Sequence, residues 1–536
     1  MTASFKIIFA TLVATAALVA CTKDTTPGKV DTDSVSPAAE GSRVIAVSFA
    51  SQPQTKTTLE GLQPKFVNEK DTILLYTVPE DENEPLLTDT CVVKVDGSGK
   101  ATIYTDLTGK LKAIYPAKAA VLEDNVITAE ILAIQSGKFA DANIAGADID
   151  ENNSARFENA APLLIITPPS GTKKLIVRSL RTIGEDGQRS EMACPINTSA
   201  EEKEQCTITV LNPDNDGRYY VTLYFDYDVK LSDLSFEAWF DEGGTTGSIK
   251  GIPEKKIKEQ AAATGLKDYE IIQPGTAYTI ADKNWHEYVE VGGHKWATMN
   301  VGAENSTDAG KYFAWGDTEG QIAKTEGQGA FDTPFDWAHA PFTDDGDCSS
   351  EASIAQVAAA CPGNVLALQY DAANANWGGA WRMPTTDEYF SLAIACGWDP
   401  EDLPVLPAVT ASLDKGCYKL DKAQEILPEY SGFVGLLTIE DSEHKLFFPA
   451  AGEGSYNGTL ELRNEYGFYY SSTYFSSSTA YTWVFTVTLY TNNTSSSRCD
   501  GYTVRAIIDE SDADTPSGGD EEESASPTDM EEDVLL

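Results

Sequence analysis

A chain of 536 residues that is 42% hydrophobic can bury several cores, and roughly 100–200 residues per domain suggests about three. Its 39 Lys/Arg stand against 83 Asp/Glu, a formal charge of −44. That balance argues against nucleic acid as a partner and against electrostatic docking on anionic lipid. It fits a soluble, self-repelling, surface-exposed protein.

Residues 1–21 set the compartment. Lys6 supplies one n-region charge, and Ile7–Ala20 is an apolar run too short to cross a bilayer as a mature helix. The run ends in Leu18-Val-Ala-Cys21, which resembles a bacterial lipobox. The resemblance implies that Cys21 is the lipidated first residue of a lipoprotein of the outer membrane; the plainer alternative is an ordinary signal peptide with a coincidental Cys. Thr22-Lys-Asp24 weakly resembles a surface-export signal of Bacteroidetes lipoproteins. Residues 22–42, rich in Thr, Ser, Asp, Pro and Ala, read as a disordered tether.

Order is expected to begin at Arg43-Val-Ile-Ala-Val-Ser-Phe49, and residues 43–152 read as a first β-sandwich of short strands punctuated by turns. Thr72–Tyr76 and Leu111–Tyr115 are strand candidates, and Val92–Val95 with Ala101–Tyr104 should form a hairpin across Asp96-Gly-Ser-Gly99. Gly-Ser-Gly-Lys is not a phosphate loop, because Lys94 stands where that motif needs a glycine. Residues 153–282 read as a second sandwich, from Arg156–Ile166 through Lys174–Arg178, Arg218–Phe225 and Leu234–Phe240 to Gln273–Ile280. In these two units only Glu254–Ala263 could form a helix of any length.

Residues 283–508 form the third unit, organised around Asn376-Trp-Gly-Gly-Ala-Trp381-Arg-Met-Pro384-Thr-Thr-Asp-Glu388. Thr385 with Glu388 is a capping box, so a helix should start there, bury Leu392, Ala393 and Cys396, and end at Gly397. Tyr469–Val487 alternates as in an antiparallel sheet, and Tyr502–Ile508 reads as a closing strand. Residues 509–536 carry 12 Asp/Glu and no Lys/Arg and read as a disordered acidic tail.

An ordered set of motifs, Glu290–Gly302, Gly310–Asp317, Asn376–Ala393, Phe447–Gly452, Tyr469–Thr473 and Gly501–Ile507, resembles the Fibrobacter major-paralogue (FISUMP) domain. That family belongs to the C-type-lectin-like α+β folds, and most members lack an assigned ligand. Upstream, Thr55–Gly61, Phe157–Ile166, Tyr219–Leu223 and Gly275–Ile280 are similar to the fimbrillin-like (type V pilin) proteins of Bacteroidetes. The expected fold is therefore mainly β: two transthyretin-like β-sandwiches followed by a C-type-lectin-like domain.

Beyond Cys21 there are eight cysteines, Cys91, Cys194, Cys206, Cys348, Cys361, Cys396, Cys417 and Cys499, and no C-x-x-C. Neither a zinc ribbon nor a thioredoxin-type site is supported; Cys194–Cys206 is the candidate disulfide, with both thiols free as the alternative. His286, His294, His339 and His444 are not spaced as paired metal ligands, and single surface or turn roles are expected. Asp344, Asp345 and Asp347 around Gly346 are the candidate Ca2+ ligands, against an acidic surface turn. No cofactor is otherwise expected. The motifs of calcium-dependent sugar lectins, such as Glu-Pro-Asn, do not occur. Nothing resembles Gly-x-Ser-x-Gly.

Exposed aromatic rings stack on sugars or anchor in protein pockets. Phe331, Phe335, Trp337 and Phe342, in a long irregular stretch, and Tyr456, Tyr469, Tyr470 and Tyr474 are the candidate ligand-binding residues. Trp296 and Trp381 read as core. The pilin resemblance implies proteolytic maturation after Arg43, leaving Val44 as the new N-terminus, although residues 22–42 hold no apolar strand for cleavage to remove; the alternative is that Arg43 is simply a charged residue at a strand start. It also implies other pilin subunits as partners. The tail offers no alternating apolar donor strand, so a non-enzymatic tip adhesin that binds a glycan or host protein is the expected role. A stand-alone glycan-binding lipoprotein is the first alternative and an enzyme of the formylglycine-generating type, which relies on reactive cysteines, the second, although Cys396 and Cys499 are placed better for a packed core or a disulfide.

Overall fold

The computed structural model describes residues 42–50, 54–55, 64–79, 81, 84–180, 195–201, 204–214, 217–224, 229–241, 244–264, 272–273, 275–280, 284–397, 416–419, 433–441, 443–486 and 490–508. Cys21, the tether, Cys194 (and with it the Cys194–Cys206 pairing) and the acidic tail lie outside these residues. The fold is mainly β.

The first unit is one eight-stranded sheet, in the order Thr88–Val92, Thr72–Thr77, Leu111–Tyr115, Ala145–Asp148, Ser154–Asn159, Arg43–Phe49, Ala101–Thr105, Lys94–Val95. Its two edge strands follow each other in the chain, so the sheet is rolled about its own core. Ile45, Val47, Ile73, Leu75, Ile103, Ala113 and Phe157 meet there, as the two-residue alternation of these strands requires. The expected hairpin is present, with Lys94 opposite Thr102 and Val95 opposite Ala101. Asp96 closes it by accepting from the Ser98 and Lys100 amides.

The join between the first two units differs from the expected 152/153 boundary. Ser154–Asn159 runs parallel to Arg43–Phe49 and so completes the first sheet, whereas Leu163–Ile166 opens the second unit. Between them, Ala161 and Pro162 carry the chain across. Conversely, Ile131 joins the second core and Ile134–Gln135 pairs with Thr207–Val210. The second unit packs a four-stranded sheet (Tyr219–Thr222, Leu163–Ile166, Thr276–Ile280, Gln54–Thr55) against Ile134–Gln135, Thr207–Val210, Lys174–Ser179, Leu234–Trp239 and Thr246–Lys250. Leu164, Ile166, Val221 and Ile280 face Leu175, Val177, Ile208 and Phe236 in one core. The expected helix is there, at Glu254–Thr264.

The sheet of the second unit does not stop at its own edge. Thr246–Lys250 pairs with His286–Val291, which pairs with His294–Asn300, then Arg505–Ile508 and finally Trp381–Arg382, making nine strands across the 282/283 boundary. A six-stranded sheet built on Tyr466–Tyr474 and Thr479–Thr486 packs beside it. The chain breaks at Val504, so that Tyr502–Thr503 serves the six-stranded sheet and Arg505–Ile508 the nine-stranded one. The helix Thr386–Ala395 begins on the expected capping box and ends at Cys396, followed by Gly397 at φ +85°. Two further helices, Glu351–Ala360 and Ala372–Trp377, are capped by Ser350 and Asp371.

Candidate functional site

Among the described residues, a cleft of about 210 Å³ opens between the loop 314–321 and the turn 333–340, with Cys499 also lining it. The first wall is the connection between Lys311–Phe313 and Gln321–Ile322, which pair antiparallel. Asp317 shapes it by accepting from the Glu319 amide (2.9 Å) and the Gly320 amide (3.1 Å). Gly316, at φ +88°, lies against the Phe342 ring, where an added Cβ would stand 2.4 Å from it. No side chain fits there.

The second wall is tied to the first. Gln321 Nε2 donates to Thr333 O and the Thr333 amide donates to Gln321 Oε1, both at 2.9 Å, so one side chain pairs with backbone like a strand neighbour. Asp336 accepts from the His339 amide and lies 2.6 Å from His339 Nδ1. Asp317, Glu319, Gln321, Asp336 and His339 thus line the cleft together with apolar Ala314, Pro334, Phe335 and Ala340, the Glu319 carboxylate also holding Lys255. Such a mixed lining can take hydroxyl or N–H donors beside an apolar face.

Behind the cleft lies Arg498, fully buried. Its Nε and Nη2 donate to Ser477 O and its Nη1 to Pro341 O. The guanidinium sits 5.5 Å from the Trp337 ring centre and 5.9 Å from that of Phe342. The Arg498 side chain therefore ties the irregular stretch to the 474–479 connection, and its backbone carbonyl, accepting from the Trp315 amide, ties in the Trp315 loop. Burial pulls the Arg498 pKa below its usual value, with Tyr470 and neighbouring thiols acting in the other direction.

The candidate aromatics do not assemble into one binding surface. Phe331 and Phe335 are core: they pack edge-to-face, 5.0 Å apart, beneath Gly454 and Gly501. Phe335 still closes one side of the cleft. Tyr469 and Tyr470 are wholly buried; the Tyr469 hydroxyl donates to Pro449 O and the Tyr470 hydroxyl to Ser497 O. Apart from the part of Phe335 that lines the cleft, none of these four offers a free face, because tertiary packing uses both sides of their strands and loops. Trp337, Phe342 and Tyr474 are half-buried. Tyr456, 73% exposed, is the one of the eight that stands in solvent. Phe475, half exposed and packed on Tyr481, was not singled out by sequence.

The three aspartates do not make a cation cage. No group of three His, Cys, Asp or Glu among the described residues has metal-binding geometry. Asp344 and Asp347 close a turn, with Asp347 Oδ1 accepting from the Ser349 amide and hydroxyl. The Asp347 carboxylate serves the turn, Asp344 acts through its backbone amide, which donates to Ser353 Oγ, and Asp345 holds a left-handed turn position at φ +49°. His339 and His444 hold the expected turn positions, each beside an Asp three residues earlier. His286 does not: it stacks on Trp377 at 3.7 Å.

Arg43 opens the strand Arg43–Phe49, as expected. It lies opposite Thr105, and its side chain binds Asn153 Oδ1 and Gly109 O. The Arg43–Val44 bond is thus part of a paired ladder, and a protease needs that strand end opened or cleavage before it pairs. The described thiols at the candidate positions are buried ones. Burial raises Cys361 to about 12 and Cys499 to about 11, and Cys396 is fully buried beside Leu392 and Trp483. A reactive thiol needs the opposite shift.

No family model matches the chain, and no curated protein matches it. Among solved structures, a candidate cell adhesion protein of Bacteroides fragilis is similar at 11% identity and TM-score 0.21, over 46% of this chain and 91% of that one. A candidate cell adhesion protein of Bacteroides ovatus is similar at 12% identity and TM-score 0.25, over 47% and 96%. A fimbrial protein of Bacteroides ovatus is similar at 12% identity and TM-score 0.21, over 83% and 95%. Likeness of this degree carries no argument about the chain. No described helix is long and apolar enough to cross a membrane.

Proposed function

We propose that the chain is a cell-surface adhesion protein of the pilus-subunit type, held at the outer membrane through Cys21, whose C-terminal unit binds a glycan or a host protein in the 314–340 cleft. The cleft is the observation that carries the reading: Asp317, Glu319, Gln321, Asp336 and His339 line it together with apolar Ala314, Pro334, Phe335 and Ala340, on loops that paired strands position. Two successive β-sandwich units and the fimbrillin-like motifs within them support the pilus part. Buried, unactivated thiols weigh against thiol chemistry at the same place.

The test is a glycan and host-protein array probed with the full chain, followed by titration of any hit against Asp336→Ala and His339→Ala. Binding that falls tenfold or more in both variants supports the cleft. Binding unchanged in both places the ligand elsewhere, with exposed Tyr456 and Phe475 the next surfaces to alter. A hit without incorporation into fibres leaves the stand-alone lipoprotein reading.

A further inference from the structure

We propose that the second sandwich and the C-terminal unit are locked into one rigid body, and that Gly247 is the opening through which the lock closes. The proposal is independent of what the cleft binds. Pairing puts Trp239, Gly247, Tyr288 and Ala297 in one row across four neighbouring strands, the first two from the sandwich and the last two from the C-terminal unit. Opposed residues of an antiparallel sheet point to the same face, so a side chain at 247 would fill the space in that row. A Cβ there would stand 2.5 Å from Ala238 O and 2.8 Å from the Tyr288 hydroxyl.

Because 247 is glycine, Tyr288 and Lys295 reach over Thr246–Lys250 to Glu237 on the strand beyond. The Tyr288 hydroxyl donates to Glu237 Oε1 at 2.7 Å, and Lys295 Nζ donates to the same oxygen at 2.9 Å. Arg178, on the sandwich side, stands 3.7 Å from the other carboxylate oxygen. Glu237, Tyr288 and Lys295 are all buried. A carboxylate buried this far is tolerated only where cations and donors meet it. Two of its partners come from the C-terminal unit, so the sandwich core is electrostatically complete only when that unit is docked.

A second contact fixes the orientation. Gly251, just after the sandwich's edge strand, lies backbone to backbone on Gly378 and Gly379; a Cβ at 251 would come within 2.1 Å of Gly378 C. The flanking tryptophans lie beside it: Trp381 Nε1 donates across the join to Ile249 O, and Trp377 stacks within the C-terminal unit on His286, the strand residue opposite Ile249. Trp285 Nε1 reaches back to Thr167 O. The Trp-Gly-Gly-Ala-Trp motif of the C-terminal unit is thereby a docking element for the unit before it.

The experiment places a specific protease site at 281–283 of the full chain, cuts it, and measures whether the halves separate. Expected is one particle of full-chain mass on size exclusion at micromolar concentration, with Lys295→Ala and Gly251→Leu each weakening the association of the cut halves at least tenfold. Separation of the cut wild-type halves overturns the lock. In the uncut chain, amides of Thr246–Lys250 and His286–Val291 should lose hydrogen-exchange protection together as denaturant rises. Loss in the second strand while the first stays protected overturns it as well, whatever the variants do.

Discussion

Asp233 shows how one side chain is placed against its own chemistry. It is 8% exposed and accepts the Lys230 amide with Oδ2, while Oδ1 has no hydrogen-bond partner. Burial pushes its pKa up to about 6, against the pull of that amide and of Lys230. A folded pKa above the unfolded value means that the native state holds the proton more tightly. The contribution of Asp233 to stability is then fully present below about pH 4 and is lost as pH rises to about 6. Asp233→Asn keeps an acceptor for Lys230 and removes the charge. Urea unfolding should show the variant gaining on the wild type by about 1–3 kcal/mol between pH 4 and 7. A difference independent of pH would show that the carboxyl is ionised throughout. Nothing at sequence level marks Asp233, because its burial is produced by strands far along the chain.

The helix Thr386–Ala395 is the element most fully written in local sequence. Thr385 Oγ1 accepts from the Glu388 amide and Glu388 Oε2 accepts from the Thr385 amide, so the box closes from both sides. Local sequence did not reveal that Glu388 also holds the Arg382 guanidinium through both oxygens. Burial raises the Glu388 pKa, but Arg382 and the cap more than offset it and hold the carboxyl below its usual range. The two residues should therefore differ. Thr385→Ala should cost about 1 kcal/mol, as a lost N-cap. Glu388→Ala leaves a half-buried arginine without its carboxylate and should cost about 3 kcal/mol. Equal losses in chemical denaturation would mean that the ion pair adds nothing to the cap. Strands were legible where apolar residues alternate, as in Tyr466–Tyr474, but alternation marks two faces and does not say that both are covered. That is why Tyr469 and Tyr470 read as surface candidates and are core.

At the scale of the molecule, the shared sheet changes what a truncation does. Ending the chain at Asp282 removes His286–Val291 from its place beside Thr246–Lys250 and takes Lys295 and Tyr288 from Glu237. An unpaired edge recruits other chains, and an uncompensated buried carboxylate destabilises the fold that contains it. The fragment should therefore form soluble aggregates or unfold at lower denaturant than the same strands do in the full chain. Light scattering and a tryptophan-monitored urea titration read both. A monomeric fragment of undiminished stability would show that the edge is closed by other means. Loss of adhesion by such a fragment would confound a missing cleft with a damaged sandwich, which is why point variants in the cleft are the cleaner probe.

The sequence by itself determined the local features: the mainly β class, the Asp96–Gly99 hairpin, the capping box, and the order of units along the chain. Each depends on residues within a few positions of one another, where periodicity, turn chemistry and caps act directly. Tertiary structure decided the rest. It took strand Ser154–Asn159 into the first sheet and ran the second sheet on into the C-terminal unit. It buried Phe331 and Phe335 beneath two glycines and brought Asp317 and Asp336 to one cleft. Those outcomes turn on which sheet edge is left unpaired and which faces meet. Such choices are settled by contacts between residues tens to hundreds of positions apart, where no local pattern carries the information.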